Sequence, residues 1–217
     1  MRKLKTRFVI ALLLYGLFAL AAFFVIEGKT APFDAAIYAY VAKHITPCNT
    51  EFMRFLSDCG DIAAVIAICA ALLLVPFART RFGVPLACNT MLTAAANETI
   101  KRLVARPRPE ILRLAEEASY SFPSGHAMNN AALYAMLAFL IFRCTWKPAY
   151  RVPALAAAVI CPFLIGLSRV YLGVHFASDV AAGWILGVAI SLTADTVLSF
   201  FDKKKHTHVV SYDNLKY

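Results

Sequence analysis

Charge is scarce in this chain. Only 16% of its 217 residues are Asp, Glu, Lys or Arg, and only 13 are acidic, where a soluble domain carries about a quarter charged residues. That scarcity excludes an ordinary water-soluble domain, because apolar blocks replace the missing charge. Hydrophobic residues make up 60% of the chain, and mean hydropathy is +0.65. Also missing is any C-x-x-C pair among Cys48, Cys59, Cys69, Cys88, Cys144 and Cys161, which removes the usual zinc pattern. Several of these cysteines lie inside apolar runs, where Cys acts as a small hydrophobe. Cys48 and Cys59 share one connection and could pair if it faced an oxidising compartment. The net charge of +9 would suggest nucleic acid in a soluble protein. In a membrane protein Lys and Arg gather in cytoplasmic loops instead, so the expected partner is the lipid bilayer, with no nucleic acid.

Apolar length is what the chain has. Runs at Phe8–Ile26, Ile62–Phe77, Phe82–Ile100, Ala127–Phe142, Val152–Leu167 and Val180–Phe200 are each close to the roughly 20 residues a helix needs to cross the hydrocarbon. Helix is the state expected, since an open strand in lipid leaves its backbone unpaired. The first run follows Arg2, Lys3, Lys5 and Arg7. It is longer than a signal-peptide core, and Phe23–Ile26 lacks a small-x-small cleavage pattern, so it reads as a span. The expected fold is therefore an all-α, polytopic bundle of six transmembrane helices, one domain over residues 1–217 with a basic tail from 203. Between the first two runs, in the connection from Glu27 to Asp61, Phe33, Ile37, Tyr40, Val41 and His44 recur at helical spacing. They predict a short helix, lying either at the membrane interface or against the bundle.

Six spans put both termini on one side, with thirteen Lys and Arg, against nine on the other. Six of those nine (Lys101, Arg102, Arg106, Arg108, Arg113 and Arg169) sit around two connections that are unusually polar for other reasons. The positive-inside rule thus places the termini in the cytoplasm and these connections outside.

Three polar clusters break the apolar pattern, and all fall on that outer side. Lys101 to Pro109, KRLVARPRP, closes the third run; Ser121 to His126, SFPSGH, opens the fourth; Ser168 to Asp179, SRVYLGVHFASD, joins the fifth to the sixth. Each alone has an ordinary reading: a snorkelling basic anchor, a helix cap, a local His–Asp hydrogen bond. Their convergence on one end of a bundle is what a catalytic constellation produces.

The spacings are specific. Lys101, six residues, Arg108-Pro109; Pro123-Ser124-Gly125-His126; and Ser168-Arg169, five residues, His175, three residues, Asp179 together resemble the three signature motifs of the type 2 phosphatidic acid phosphatase superfamily, which includes vanadium-dependent haloperoxidases. Arg106-Pro107 is a second Arg-Pro pair two residues too early, so the spacing selects Arg108 and leaves Arg106 as an auxiliary charge. The resemblance implies a membrane phosphatase acting on lipid phosphates or diphosphates, of the undecaprenyl diphosphate, phosphatidylglycerophosphate or phosphatidate class. His175 would attack phosphorus, Asp179 would orient and stabilise its ring, and His126 would protonate the leaving oxygen and then activate water.

The residue types suit this chemistry. Lys101, Arg108 and Arg169 supply three cations for a phosphoryl group, two of them able to grip oxygens bidentately. The amides at Ser124 and Gly125 open a helix, where peptide dipoles favour an anion, and Gly125 permits close approach. No metal or cofactor is expected. Glu98, with Asn97 beside it, is placed to pair with Lys101 on the same helix face. Asp195, inside the sixth run, is an intramembrane acid far from the clusters, which suggests a structural partner or simple snorkelling. His206 and His208 belong to the basic tail and read as solvated.

Overall fold

The computed structural model describes residues 2–143 and 148–213, all helix, turn and loop. Cys144, Lys147 and Lys216 lie outside the described residues. Among the described residues nine α-helices follow in order: α1 (Arg2–Ile26), α2 (Ala31–Ala42), α3 (Pro47–Cys59), α4 (Ile62–Leu74), α5 (Pro76–Ala78), α6 (Val84–Val104), α7 (Gly125–Arg143), α8 (Pro148–Tyr171) and α9 (Ala177–Asp213), with a π-helical turn at Arg79–Gly83 between α5 and α6. The stretch from 203 to 213 continues α9.

Among the described residues four helical segments are long and apolar enough to cross a membrane by themselves: Leu4–Ile26, Gly125–Arg143, Arg151–Tyr171 and Ala177–Phe201. The second expected run differs for a physical reason. Pro76 cannot continue α4, and Val75 turns extended before it, so α4 has 13 residues, about 20 Å at 1.5 Å each. With α3, which meets it at 44°, it makes a fifth candidate. The third expected run forms α6, which has the length with 21 residues. Its polar side (Asn89, Thr90, Thr93, Asn97 and Lys101) is buried against neighbouring helices, where Asn89 donates to Ala132 O at 3.1 Å and Ser191 Oγ at 3.0 Å.

The expected helix in the first connection is α2. Val41 is buried, and Ile37 packs with it against Val170, Tyr171 and Val180. Phe33 and Tyr40 stay exposed, while His44 falls beyond the helix. The sequence reading missed α3, which opens with Thr46 accepting from Asn49 N–H at 3.2 Å and Pro47 in its first turn. Cys48 and Cys59 stand at opposite ends of α3, both as free thiols, too far apart for the 4.4–6.8 Å Cα separation of a typical disulfide.

α7 and α9 form the centre, and the contact is backbone on backbone. A Cβ on Gly187 would stand 2.4 Å from Met128 O, and one on Gly183 would stand 2.9 Å from Ser124 O. This small-x-x-x-small seam is how helices approach when no water drives them together. α1 lies along α9, with Tyr15 Oη 3.2 Å from Thr193 Oγ1. At its first turns Arg7 meets Asp195 at 2.6 Å, and Arg143 of α7 reaches the same carboxylate at 3.2 Å. Asp195, on α9, is thus held by arginines from two other helices, α1 and α7, the structural role of the two expected for it.

Candidate active site

All three clusters meet at the end of the bundle where α7 and α9 begin. α6 ends at Ala105 in the left-handed conformation (φ 48°), and a loop over 105–124 crosses the site, anchored by Ser121 N–H on Arg106 O at 2.9 Å. α8 ends in a turn through Gly173 (φ 70°), a backbone setting that glycine tolerates best. There Leu172 and His175 N–H groups bond Ser168 and Arg169 carbonyls at 2.9 and 3.3 Å. A Cβ on Gly173 would stand 2.3 Å from Leu112 O, so the loop and the turn pack without space between them.

His175 is 3% exposed and Asp179 is fully buried. Asp179 Oδ2 accepts from Ser121 Oγ–H at 2.5 Å and from Phe176 N–H at 3.0 Å, and its Oδ1 accepts from Arg106 at 2.5 Å. His175 Nδ1 lies 3.6 Å from Asp179 Oδ2, longer than a hydrogen bond, with Ser121 Oγ beside it at 3.4 Å. Nδ1 therefore faces the Ser121–Asp179 pair, and Nε2 faces outward with Arg108 Nη1 3.3 Å away. Burial pushes the His175 pKa down to about 4, against the opposing pull of Asp179. The imidazole is thus neutral above that pH.

A cavity of about 190 Å³ lies between the two histidines, lined by Lys101, Glu117, Gly125, His126 and His175, with Gly60 and Asp61 from the α3–α4 bend. His126 Nε2 is 3.9 Å from Asp61 Oδ2. Ser124 is not among the lining residues: its amide donates to Asp179 O at 3.1 Å and its hydroxyl caps α7. Lys101 Nζ donates to Ser119 Oγ at 2.8 Å. Glu98 pairs instead with Arg102 at 2.7 Å, four residues along the same helix, and Asn97 pins the second motif by donating to Pro123 O at 3.3 Å.

Glu117, which the sequence reading passed over, joins the two arginines. One of its oxygens is 3.4 Å from Arg108 Nη2 and the other accepts from Arg169 Nη2. Arg108 also holds Ser119 O at 2.6 Å and Val174 O at 2.7 Å, and Arg169 donates to Ser57 Oγ of α3. Ser121 opens the second polar cluster, but the sequence reading gave it no role. The only signal for either was position: an acidic pair, Glu116-Glu117, in a basic loop, and a serine just before the Pro-Ser-Gly-His run. Among the described residues, no three His, Cys, Asp or Glu side chains are grouped to hold a metal ion.

The profile of the PAP2 superfamily matches residues 82–202, and the chain belongs to that superfamily. It is 40% identical over 95 residues to phosphatidylglycerophosphatase B of Bacillus subtilis, an alignment covering 43% of this chain and 47% of that one, so about half of that relative's length. It is 29% identical over 180 residues to an undecaprenyl-diphosphatase of Sulfolobus acidocaldarius, covering 80% of this chain and 82% of the relative. A crystal structure of a transmembrane PAP2-type phosphatidylglycerolphosphate phosphatase from Bacillus subtilis superposes with a TM-score of 0.77 at 27% identity, over 89% of this chain and 96% of that one.

Proposed function

We propose that this chain is a membrane phosphatase that removes phosphate from a lipid phosphate or diphosphate through a phosphohistidine on His175. The observation that carries the reading is the shared cavity: His175, His126 and Lys101 line one space large enough for a phosphoryl group, and Glu117 of that lining is paired with both Arg108 and Arg169. In the first step the Nε2–phosphorus bond forms while the phosphorus–oxygen bond to the lipid breaks, and His126 gives its proton to the departing oxygen. In the second, water attacks phosphorus, His126 takes its proton, and the nitrogen–phosphorus bond breaks. Asp179 answers the positive charge on the phosphorylated ring.

The phosphoryl oxygens are to be held by Lys101, Arg108, Arg169 and the Gly125 amide that opens α7, whereas the Ser124 amide expected to join them is taken by Asp179 O. Binding exchanges the Glu117 carboxylate for the phosphate. Arg169 Nε, buried without a hydrogen-bond partner, is a further donor for that anion.

Six spans follow if α3–α4 and α6 are counted as crossings, their polar faces turned to the bundle. Both termini are then cytoplasmic and the cavity opens outside. In a background freed of native cysteines, a cysteine at Glu110 is expected to react with an impermeant thiol reagent on intact cells, and one at Lys147 is not. The reverse labelling would put the site in the cytoplasm.

The substrate class is a lipid, because a headgroup can enter at the helix ends while its tail stays beside exposed apolar residues such as Leu103 and Ile111. Relatives are named for phosphatidylglycerophosphate and undecaprenyl diphosphate, and an outward site favours the diphosphate. Purified protein is expected to release inorganic phosphate from phosphatidate, phosphatidylglycerophosphate or undecaprenyl diphosphate, with no added acceptor and in excess EDTA. Vanadate, a mimic of the phosphoryl transition state, is expected to inhibit. A requirement for an acceptor alcohol would make it a phosphotransferase, and activity lost in EDTA and restored by magnesium or zinc would rule out metal-free chemistry.

A further inference from the structure

Arg106 and Asp34 do not line the phosphate cavity, yet they form an enclosed ionic group with Asp179 beside it. Asp34, from the first turn of α2, is 4% exposed, and the Arg106 side chain is 13% exposed. The guanidinium spans two carboxylates, with Nη1 on Asp179 Oδ1 at 2.5 Å and Nη2 on Asp34 Oδ2 at 2.9 Å. Ser178 closes the ring: its N–H and hydroxyl donate to the two oxygens of Asp34, each at 2.8 Å. Arg106 Nη1 also donates to Ser178 Oγ at 2.9 Å. The Phe176 ring lies 3.9 Å from the guanidinium carbon, shielding it by a cation–π contact.

Two buried acids thus share one base. A guanidinium paired with Asp179 alone would cancel the charge that His175 needs opposite it when phosphorylated. Two carboxylates facing each other without the guanidinium would force one to take a proton. The triad avoids both conditions.

We propose that Arg106 and Asp34 are positioning residues for the reaction at His175: Arg106 keeps Asp179 ionised and aimed at Nδ1, and Asp34 draws off enough of the arginine's charge that Asp179 still stabilises the phosphorylated ring. This rests on His175 being the nucleophile. It also gives α2 a task, since that helix carries one of the three charges on which the site depends.

The test uses the full-length protein in detergent, with Arg106→Gln, Asp34→Asn and the double variant, and measures the single-turnover rate of phosphoenzyme formation and the Tm. Arg106→Gln is expected to slow phosphorylation on the order of 10²-fold, part of the roughly 10⁴-fold that disabling the orienting carboxylate costs in another triad. Asp34→Asn, the milder change, is expected to cost about tenfold, the low end of the 10–100-fold that loss of an outer partner costs in other sites, with KM unchanged. Adding Asp34→Asn to Arg106→Gln removes the unpaired acid and is expected to recover at least about tenfold of the lost rate. A double variant that regains Tm but not rate would overturn the proposal, leaving the pair as a fastener for α2. So would Asp34→Asn with undiminished kcat, which decides the matter if Arg106→Gln does not fold. Failure of the underlying reading looks different: the unsubstituted protein would then form no phosphoenzyme, or His175→Ala would form it too.

Discussion

Replacing His175 with alanine is expected to abolish phosphate release, by on the order of 10⁴-fold or more, as when the nucleophile of another covalent hydrolase is removed. No neighbouring group can substitute. Asp179 is enclosed by Ser121, Arg106 and the Phe176 amide, and His126 approaches the cavity from α7 on the other side. Because the pKa of His175 is held near 4 by burial, Nε2 carries its lone pair throughout the neutral range, so the wild-type rate should not depend on deprotonating this ring above about pH 5. Folding should survive the change, since the Asp179 carboxylate keeps its other three partners. The readout is acid-labile radiolabel trapped on the wild type from a labelled lipid phosphate and absent from the variant. Turnover by the variant at the wild-type rate would remove His175 from the mechanism.

His126→Gln is expected to separate the two histidines by leaving-group chemistry. A lipid alcohol departs as an alkoxide, about as basic as hydroxide, whose parent water has a pKa of roughly 15.7. A lipid diphosphate expels a phosphate monoester, whose second pKa is about 6. General acid catalysis contributes about 10² to 10⁴-fold, and most of that factor should be lost on phosphatidate but much less on a diphosphate lipid. Steady-state turnover is expected to be low on both, because the proposed mechanism gives the same residue the task of activating water in the second step. Single-turnover phosphorylation on the two substrates is the informative measurement. Equal losses would mean that His126 only binds the phosphate.

Much of the fold was legible because hydrophobic runs report on burial in lipid. α1, α7, α8 and α9 lie where the apolar blocks predict them. α6 was found for its length, but no count of apolar residues could show that Asn89, Thr93 and Asn97 turn inward. α4 stops early because Pro76 is a local event inside an apolar block. The site was legible where spacing is fixed along a helix or tight turn, as with His175 and Asp179. It was not legible where a partner comes from a loop with no period: Glu117 and Ser121 reach the site through the 105–124 crossing, and Asp34 is one acid in an otherwise apolar helix. The pairing of Glu98 failed by one residue, since Arg102 stands at the i+4 position and Lys101 at i+3.

α9 carries a buried carboxylate near each end of its apolar length, Asp179 and Asp195, sixteen residues apart. At 1.5 Å per residue that is about 24 Å, somewhat less than the roughly 30 Å of a hydrocarbon core. Each acid is held by arginine from another element, Arg106 at one end and Arg7 and Arg143 at the other. Sliding α9 along its axis would pull one acid or the other from its partner, at about 3–5 kcal/mol for a broken buried pair. The two pairs thus fix α9 along its axis, so a thicker or thinner bilayer is met by tilt of the bundle or by deformation of the lipid, not by sliding this helix past its neighbours.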